Sequence, residues 1–433
     1  MLKAILSDKF IKAGGILFLS SMVTNIFNYI FQITMGRLLT PIEYGLMNSL
    51  LAISMVMGVP LSAILMVISK RTAEYKAKGE LDKIGGLLKL TYKKVFTAGF
   101  TGLLLFLVAS SYIKDYIHAP SVTPVVILGL CIFISLAPPI NIAVLQGLQD
   151  FKWINIGLGF TGPLKFLFCL IMVLAGFSVS GVIGGLVLAS TAIWAITYIP
   201  LKKDVNRGKE NSKPDNINLM DIFHVLLANL AFAMMTQADM VLVKHFFSAH
   251  QSGIYASASI LGKAVMYLPG ALVLAMFPMV AESNALQLKS GHLIKKVIIV
   301  SLVLSGSGAL LLFAFPELVI KTFFGTKYIE AVEVVQYFGV AMLPMALLMI
   351  LMNYFIAKGK TIFSYILFLG TFIEIALILF FHGSLMAVIY TLMGIGGILL
   401  CFGFILLYLE NKTEQRKRQH LTVKQSISPS TGK

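Results

Sequence analysis

The stretch GRLLTPIEYGLMN, residues 36–48, separates two long apolar runs. It gathers an arginine, a proline, a glutamate and two glycines in a chain that otherwise avoids charge. Of 433 residues, 58% are hydrophobic and 12% are charged, and the mean hydropathy is +0.88. A soluble domain carries about 25% charged residues, so the solvent for most of this surface is lipid. Read locally, the stretch is a tight turn. Pro41 stops one helix, Gly45 permits close backbone approach, and Arg37 and Glu43 are interfacial charges placed to pair.

Working outward, a helix needs about 20 apolar residues to cross the hydrocarbon core. Twelve segments meet that length: 13–36, 44–68, 90–111, 122–147, 152–176, 179–201, 220–246, 254–279, 297–315, 331–357, 362–381 and 384–409. The runs are long and continuous, not ten-residue alternations, which excludes a membrane barrel. The first run is too long for a signal peptide and lacks its small-residue cleavage pattern, so it reads as a retained helix. Alternate connections carry 26 and four of the lysines and arginines. This bias places both termini in the cytoplasm. The polar stretch KKDVNRGKENSKPDNIN, 202–218, reads as a cytoplasmic linker between an N-terminal six-helix lobe (1–201) and a C-terminal one (219–409). Residues 410–433 read as a basic, disordered cytoplasmic tail.

The opening stretch has a counterpart. RLLTPIEYGLMNSLL corresponds to KHFFSAHQSGIYASASIL about 208 residues later, with Gly45 matched to Gly253. Pro60 then matches Pro269, Glu74 matches Glu282, and Pro138 matches Pro344, all at nearly the same offset. LQGLQDFKW also resembles IAKGKTIF where each fourth span ends. Six spans per half is an even number, so both halves enter from one side. The repeats are therefore parallel, and two such bundles form a cleft that rocking can expose to either side.

GRLLTPIEYGLMNSL resembles the N-terminal hallmark of bacterial O-antigen-type polysaccharide flippases, within the multidrug/oligosaccharidyl-lipid/polysaccharide exporter superfamily. TQADMVLVKHFFSAHQSGIYASASIL, 236–261, resembles the matching hallmark of the second half, and LPGALVLAMFPMVAE, 268–282, continues the likeness. The resemblance implies an all-α polytopic membrane protein. It would have twelve transmembrane helices in two parallel-repeat bundles, forming a V-shaped, two-lobed transporter of the cytoplasmic membrane. The implied substrate is an undecaprenyl-pyrophosphate-linked oligosaccharide, flipped for cell-surface polysaccharide synthesis. The implied partners are that lipid, membrane lipids, a coupling H+ or Na+, and a polysaccharide polymerase and glycosyltransferases. Two spans common in lipid II flippases are missing.

Charged residues in mid-span are costly and mark function or pairing. Lys165 lies midway along the fifth span in TGPLKFLFCL, and Lys263 midway along the eighth in ASILGKAVMYLPG. Lysines at similar depth in the two bundles can hold a pyrophosphate in a low-dielectric cleft. The competing reading pairs Lys263 with Asp239. Arg37, at the rim, is a third candidate ligand. Asp239 in the seventh span and Glu374 in TFIEIALIL of the eleventh are candidates for ion coupling, since burial raises a carboxyl pKa. Structural pairing competes with that role. Asn25, Asn28 and Gln32 share a face of span one, and Asn229 and Gln237 lie two turns apart on span seven. Both stripes suit a sugar-lined cleft, and hydrogen bonding between helices explains them equally well.

Basic charge confined to loops and tail argues against nucleic acid. Cys131, Cys169 and Cys401 sit in apolar runs without metal-like spacing and read as packing residues. No nucleotide loop, metal cluster, cofactor motif or nucleophile constellation appears, so the chain does not read as an enzyme. Two alternatives stand beside the flippase. One is a multidrug or cation antiporter of the same superfamily, and the other a non-transporting scaffold of polysaccharide assembly.

Overall fold

A computed structural model describes residues 8–202, 219–285 and 291–427. Linker residues 203–218 lie outside the described residues. Within the described chain the architecture is all-helical, with no strand. The helices are α1 Asp8–Leu38, α2 Pro41–Ala77, α3 Leu81–Tyr116, α4 Thr123–Ile134, α5 Ala137–Leu148, α6 Phe151–Leu174 and α7 Ser178–Tyr198. They continue as α8 Leu219–Phe246, α9 Ala249–Tyr267, α10 Gly270–Ala285, α11 Gly291–Ala314 and α12 Pro316–Phe323. After a 3-10 turn at Thr326–Ala331 come α13 Val332–Ala357, α14 Ile362–Phe380 and α15 Leu385–Ile427. Of the twelve expected segments, 122–147 and 254–279 are each divided between two helices. Among the described residues, ten spans are long and apolar enough to cross a membrane.

Several helix ends follow directly from local chemistry. At α2, Thr40 and Glu43 form a capping box. The Glu43 N–H donates to Thr40 Oγ1 (3.3 Å), and the Thr40 N–H donates to Glu43 Oε2 (2.9 Å). At α9, the repeat mates do the same with a neutral partner. The Gln251 N–H donates to Ser248 Oγ (3.2 Å), and the Ser248 N–H donates to Gln251 Oε1 (3.3 Å). Each box satisfies helix-terminal donors that have no intrahelical partner. The fourth spans also stop alike: Gln149 after α5 and Gly359 after α13 take positive φ, 53° and 68°. Glycine suits that conformation and Gln149 tolerates it.

The aligned prolines do not act alike. Pro138 begins α5 after a break at Ser135–Leu136, whereas its mate Pro344 lies inside the unbroken α13. Conversely, Pro60 lies inside α2, while Pro269 sits at the break between α9 and α10. A proline removes one ladder donor, and packing decides whether the helix kinks or stops. The basic tail departs from expectation, because α15 continues to Ile427 in place of disorder after Asn411. NKTEQRKRQHLTVKQ contains no Gly or Pro and is rich in good helix formers.

The chain packs as two compact units. The first comprises the described residues of Met1–Ile260 with Glu317–Val332. A core cluster in it joins Ile68 and Tyr75 of α2, Ile84, Leu87 and Leu88 of α3, and Ile140, Val144 and Leu145 of α5. The second comprises the described residues of Leu261–Pro316 and Glu333–Lys433. There α13 is heavily buried. Phe338 packs onto Gly262, where an added Cβ would lie 2.3 Å from its ring. The Ser305 hydroxyl donates to the Val265 carbonyl (2.9 Å).

Candidate substrate-cation site and the outer turn

Lys165 is brought to its position by close packing of α6 on α1. Gly162 makes this approach possible, because a Cβ there would lie 2.8 Å from the Thr24 carbonyl oxygen. Ser20 Oγ donates to Asn155 Oδ1 (3.0 Å), and the Thr24 hydroxyl donates to the Leu158 carbonyl. Farther along the same seam, Lys165 Nζ donates to Asn28 Oδ1 (3.2 Å) and stands 4.2 Å from the Phe31 ring centroid. Among the described residues Lys165 forms no ion pair. An amide oxygen and an aromatic face orient an ammonium without neutralising it.

The polar stripe of α1 divides. Asn28 serves Lys165, while Gln32 Oε1 accepts from the Tyr44 hydroxyl (3.1 Å), tying α1 to α2. Asn25 is exposed. The side chains that actually line the α1–α6 seam are Ser20, Thr24 and Asn28, at four-residue spacing. On α8, Gln237 is buried and Asn229 half-buried. Asp239 is buried, and its Oδ2 accepts from the Tyr255 hydroxyl (2.8 Å), which joins α8 to α9. Tyr255 is the tyrosine of the GIY stretch, so the hallmark positions of the second half meet in space. Lys263 and Glu374 are each buried within the second unit.

The turn between α1 and α2 answers the question its sequence poses. Arg37 does not pair with Glu43. Its Nε donates to the Phe323 carbonyl (3.0 Å) and its Nη2 to the Thr322 carbonyl, so it caps the C-terminus of α12. Lys327 returns the arrangement, donating from Nζ to the carbonyls of Arg37 (2.8 Å) and Leu39 (2.5 Å) at the end of α1. Cations at helix C-termini satisfy the last carbonyls and the negative end of the dipole. Tyr44, Phe324 and Tyr328 pack ring against ring beneath, with centroids 5.5–5.9 Å apart. Glu43 Oε1 also accepts from the Ser178 hydroxyl at the start of α7. Gly45 and Gly253 are in contact: a Cβ on Gly45 would lie 2.8 Å from the Gly253 nitrogen, and one on Gly253 would lie 1.9 Å from the Pro41 carbonyl oxygen.

The fold is that of membrane transporters of the MOP superfamily. It matches an inward-facing multidrug resistance MATE family transporter of that superfamily with a TM-score of 0.78 and 13% identity, over 93% of this chain and 98% of the other. It matches the lipid II flippase MurJ, in an inward closed conformation, with a TM-score of 0.67 and 10% identity, over 92% and 87%. A MOP superfamily transporter from Pyrococcus furiosus, with a binding pocket described as reversed in polarity, matches with a TM-score of 0.67 and 13% identity, over 92% and 96%. Residues 34–333 match the sequence profile of a polysaccharide biosynthesis protein family, and the chain belongs to that family. No curated protein matches it by sequence. It is a multi-pass membrane protein of that polysaccharide biosynthesis family, with the fold of these transporters.

Proposed function

We propose that the protein flips an undecaprenyl-pyrophosphate-linked oligosaccharide across the cytoplasmic membrane by alternating access. Twelve spans in two parallel six-helix repeats, divided by the 202–218 linker and with both termini in the cytoplasm, provide the framework. The observation that carries the substrate reading is Lys165. It is an ammonium inside a membrane span, held by Asn28 and Phe31 and offset by no carboxylate among the described residues. A buried cation is costly in lipid, and a pyrophosphate headgroup offsets that cost while it is bound. Lys263 is proposed as the second cation, Asn229 and Gln237 as sugar contacts, and Glu374 as an ion-coupling carboxylate. Arg37 serves better as a helix cap than as a ligand, since two of its donors are spent on carbonyls. The polymerase and glycosyltransferases of the same pathway are the proposed protein partners.

A second reading is supported by the buried Asp239, whose hydroxyl partner Tyr255 could hand over or receive a proton. On this reading the chain is a cation-coupled antiporter. The deciding experiment is reconstitution in proteoliposomes with an undecaprenyl-pyrophosphate-linked sugar. Accessibility of the sugar in the opposite leaflet is followed for wild type, Lys165→Ala and Lys263→Ala. Transport by wild type that is lost in folded Lys165→Ala supports the flippase. Absence of transport by wild type across several glycolipids, with drug-driven proton movement instead, would establish the antiporter.

A further inference from the structure

A second cation in the first unit has no role in the site above. Arg71 lies on α2 between Ile68 and Tyr75, on the face that builds that core cluster. Its relative exposure is 6%, and its Nη1 is buried with no hydrogen-bond partner among the described residues. The neighbouring Thr72 Oγ1 is likewise buried without one. The next carboxylate on the same helix, Glu74, is exposed. Lys76, one turn on, donates to the Leu148 carbonyl at the end of α5. Glu80 pairs with Lys83 (2.9 Å), and Asp150 Oδ1 accepts the Trp153 N–H at the start of α6 (3.4 Å). Helix α5 presses onto α2 beside Arg71, since a Cβ on Gly147 would lie 2.4 Å from Thr72 Cβ and 2.5 Å from the Ser69 carbonyl oxygen. Arg71 thus lies next to a tight contact between α2 and α5, with one buried guanidinium nitrogen unpartnered.

Buried charges are retained when they are paired, coordinate an ion or meet a ligand. Arginine, with its rigid fork of donors, suits a phosphate oxygen pair better than it suits any single carbonyl. The charge bias assigns this end of α2 to the cytoplasmic side, where a lipid-linked substrate would begin its passage. We infer that Arg71 is a binding site for the phosphate group of a lipid head, which it receives at the inner end of α2 before transport. The identity of that lipid as the transported one rests on the flippase reading, whereas the phosphate chemistry does not.

The test uses the full-length protein, purified in detergent and depleted of lipid. Binding of undecaprenyl pyrophosphate and, separately, of phosphatidylglycerol is measured for wild type, Arg71→Lys and Arg71→Gln. Thermal unfolding is recorded with and without each lipid. Loss of charge-assisted hydrogen bonds predicts affinity at least about tenfold weaker in Arg71→Gln and an intermediate value in Arg71→Lys. Lipid-free Arg71→Gln should unfold no earlier than wild type, because no protein partner is lost, and the lipid-induced rise in Tm should shrink. Selective loss of undecaprenyl pyrophosphate binding identifies the substrate head. Equal loss for both lipids identifies a general phospholipid site. Either outcome supports the inference, and both remain readable even if wild type shows no flipping. Unchanged binding of both lipids overturns it. So does a lipid-free Arg71→Gln that unfolds several degrees early, since that would reveal a protein carboxylate as the partner.

Discussion

The turn between α1 and α2 and the α1–α6 seam use cations in opposite ways. At the turn, Arg37 and Lys327 cap each other's helix ends, and the carboxylate of Glu43 is divided between Thr40 and Ser178. In the seam, Lys165 is positioned by a neutral amide and a ring, and its charge is left over. The difference teaches where function resides. Charges at helix ends, near headgroups, are absorbed by the four orphan carbonyls or amides that every helix terminus leaves. A charge in mid-span has no such backbone sink, and that is why the proposed site rests on Lys165.

The comparison is broken most severely by Gly253→Ala. Its new Cβ would meet the Pro41 carbonyl at 1.9 Å, and both sides of that contact are backbone. The cost should be about 3 kcal/mol or more, seen as loss of monodisperse protein on size exclusion. A variant as stable as wild type would show that the two helix starts need not touch. Next, Lys165→Ala should lower transport by about tenfold or more, a loss of roughly 1.4 kcal/mol or greater in transition-state stabilisation, with unfolding changed little. A large drop in Tm with transport per folded molecule intact would move Lys165 to the structural side of the comparison. Arg37→Ala should do the reverse, costing about 1 kcal/mol of stability at this exposed site and sparing transport once folded. Transport abolished without any change in Tm would make Arg37 a ligand after all. The smallest effects test the paired capping boxes. Thr40→Ala and Ser248→Ala should each cost about 1 kcal/mol, and their Tm shifts should agree more closely with each other than with those of non-capping serines.

The helical architecture was legible in the sequence because a membrane span announces itself by length and apolarity alone. The spacing of Gly45, Gly253 and the prolines is a sequence pattern, and the like capping boxes at Thr40 and Ser248 accord with it. What the prolines do was not legible. Pro60 and Pro344 sit in continuous helices while Pro138 and Pro269 mark breaks, and tertiary packing decides between these. The Asn25–Asn28–Gln32 stripe shares a helical face, but Asn28 and Gln32 have different neighbours, α6 and α2, and spacing on one helix cannot name partners on others. Arg71 was hidden by an edge. The apolar run ends near residue 68, so Arg71 counts as a loop cation, yet α2 continues to Ala77 and carries it into the core. The tail erred in the other direction, because polarity was read as disorder where helix propensity persists to Ile427.

The contact between Gly45 and Gly253 has a consequence for symmetry. These two residues are counterparts, and they touch each other. In a dimer of identical half-length chains, this would be one glycine meeting its own copy across an isologous interface, where any substitution is doubled at a single point. In a single chain the two sides need not be equivalent, and they are not: a Cβ on Gly45 would meet the Gly253 nitrogen, whereas one on Gly253 would meet the Pro41 carbonyl. The two capping boxes differ in charge: one has a carboxylate, Glu43, that also reaches α7, and the other has the neutral Gln251. The glycines are alike, since two backbones at that separation leave no room for a Cβ on either.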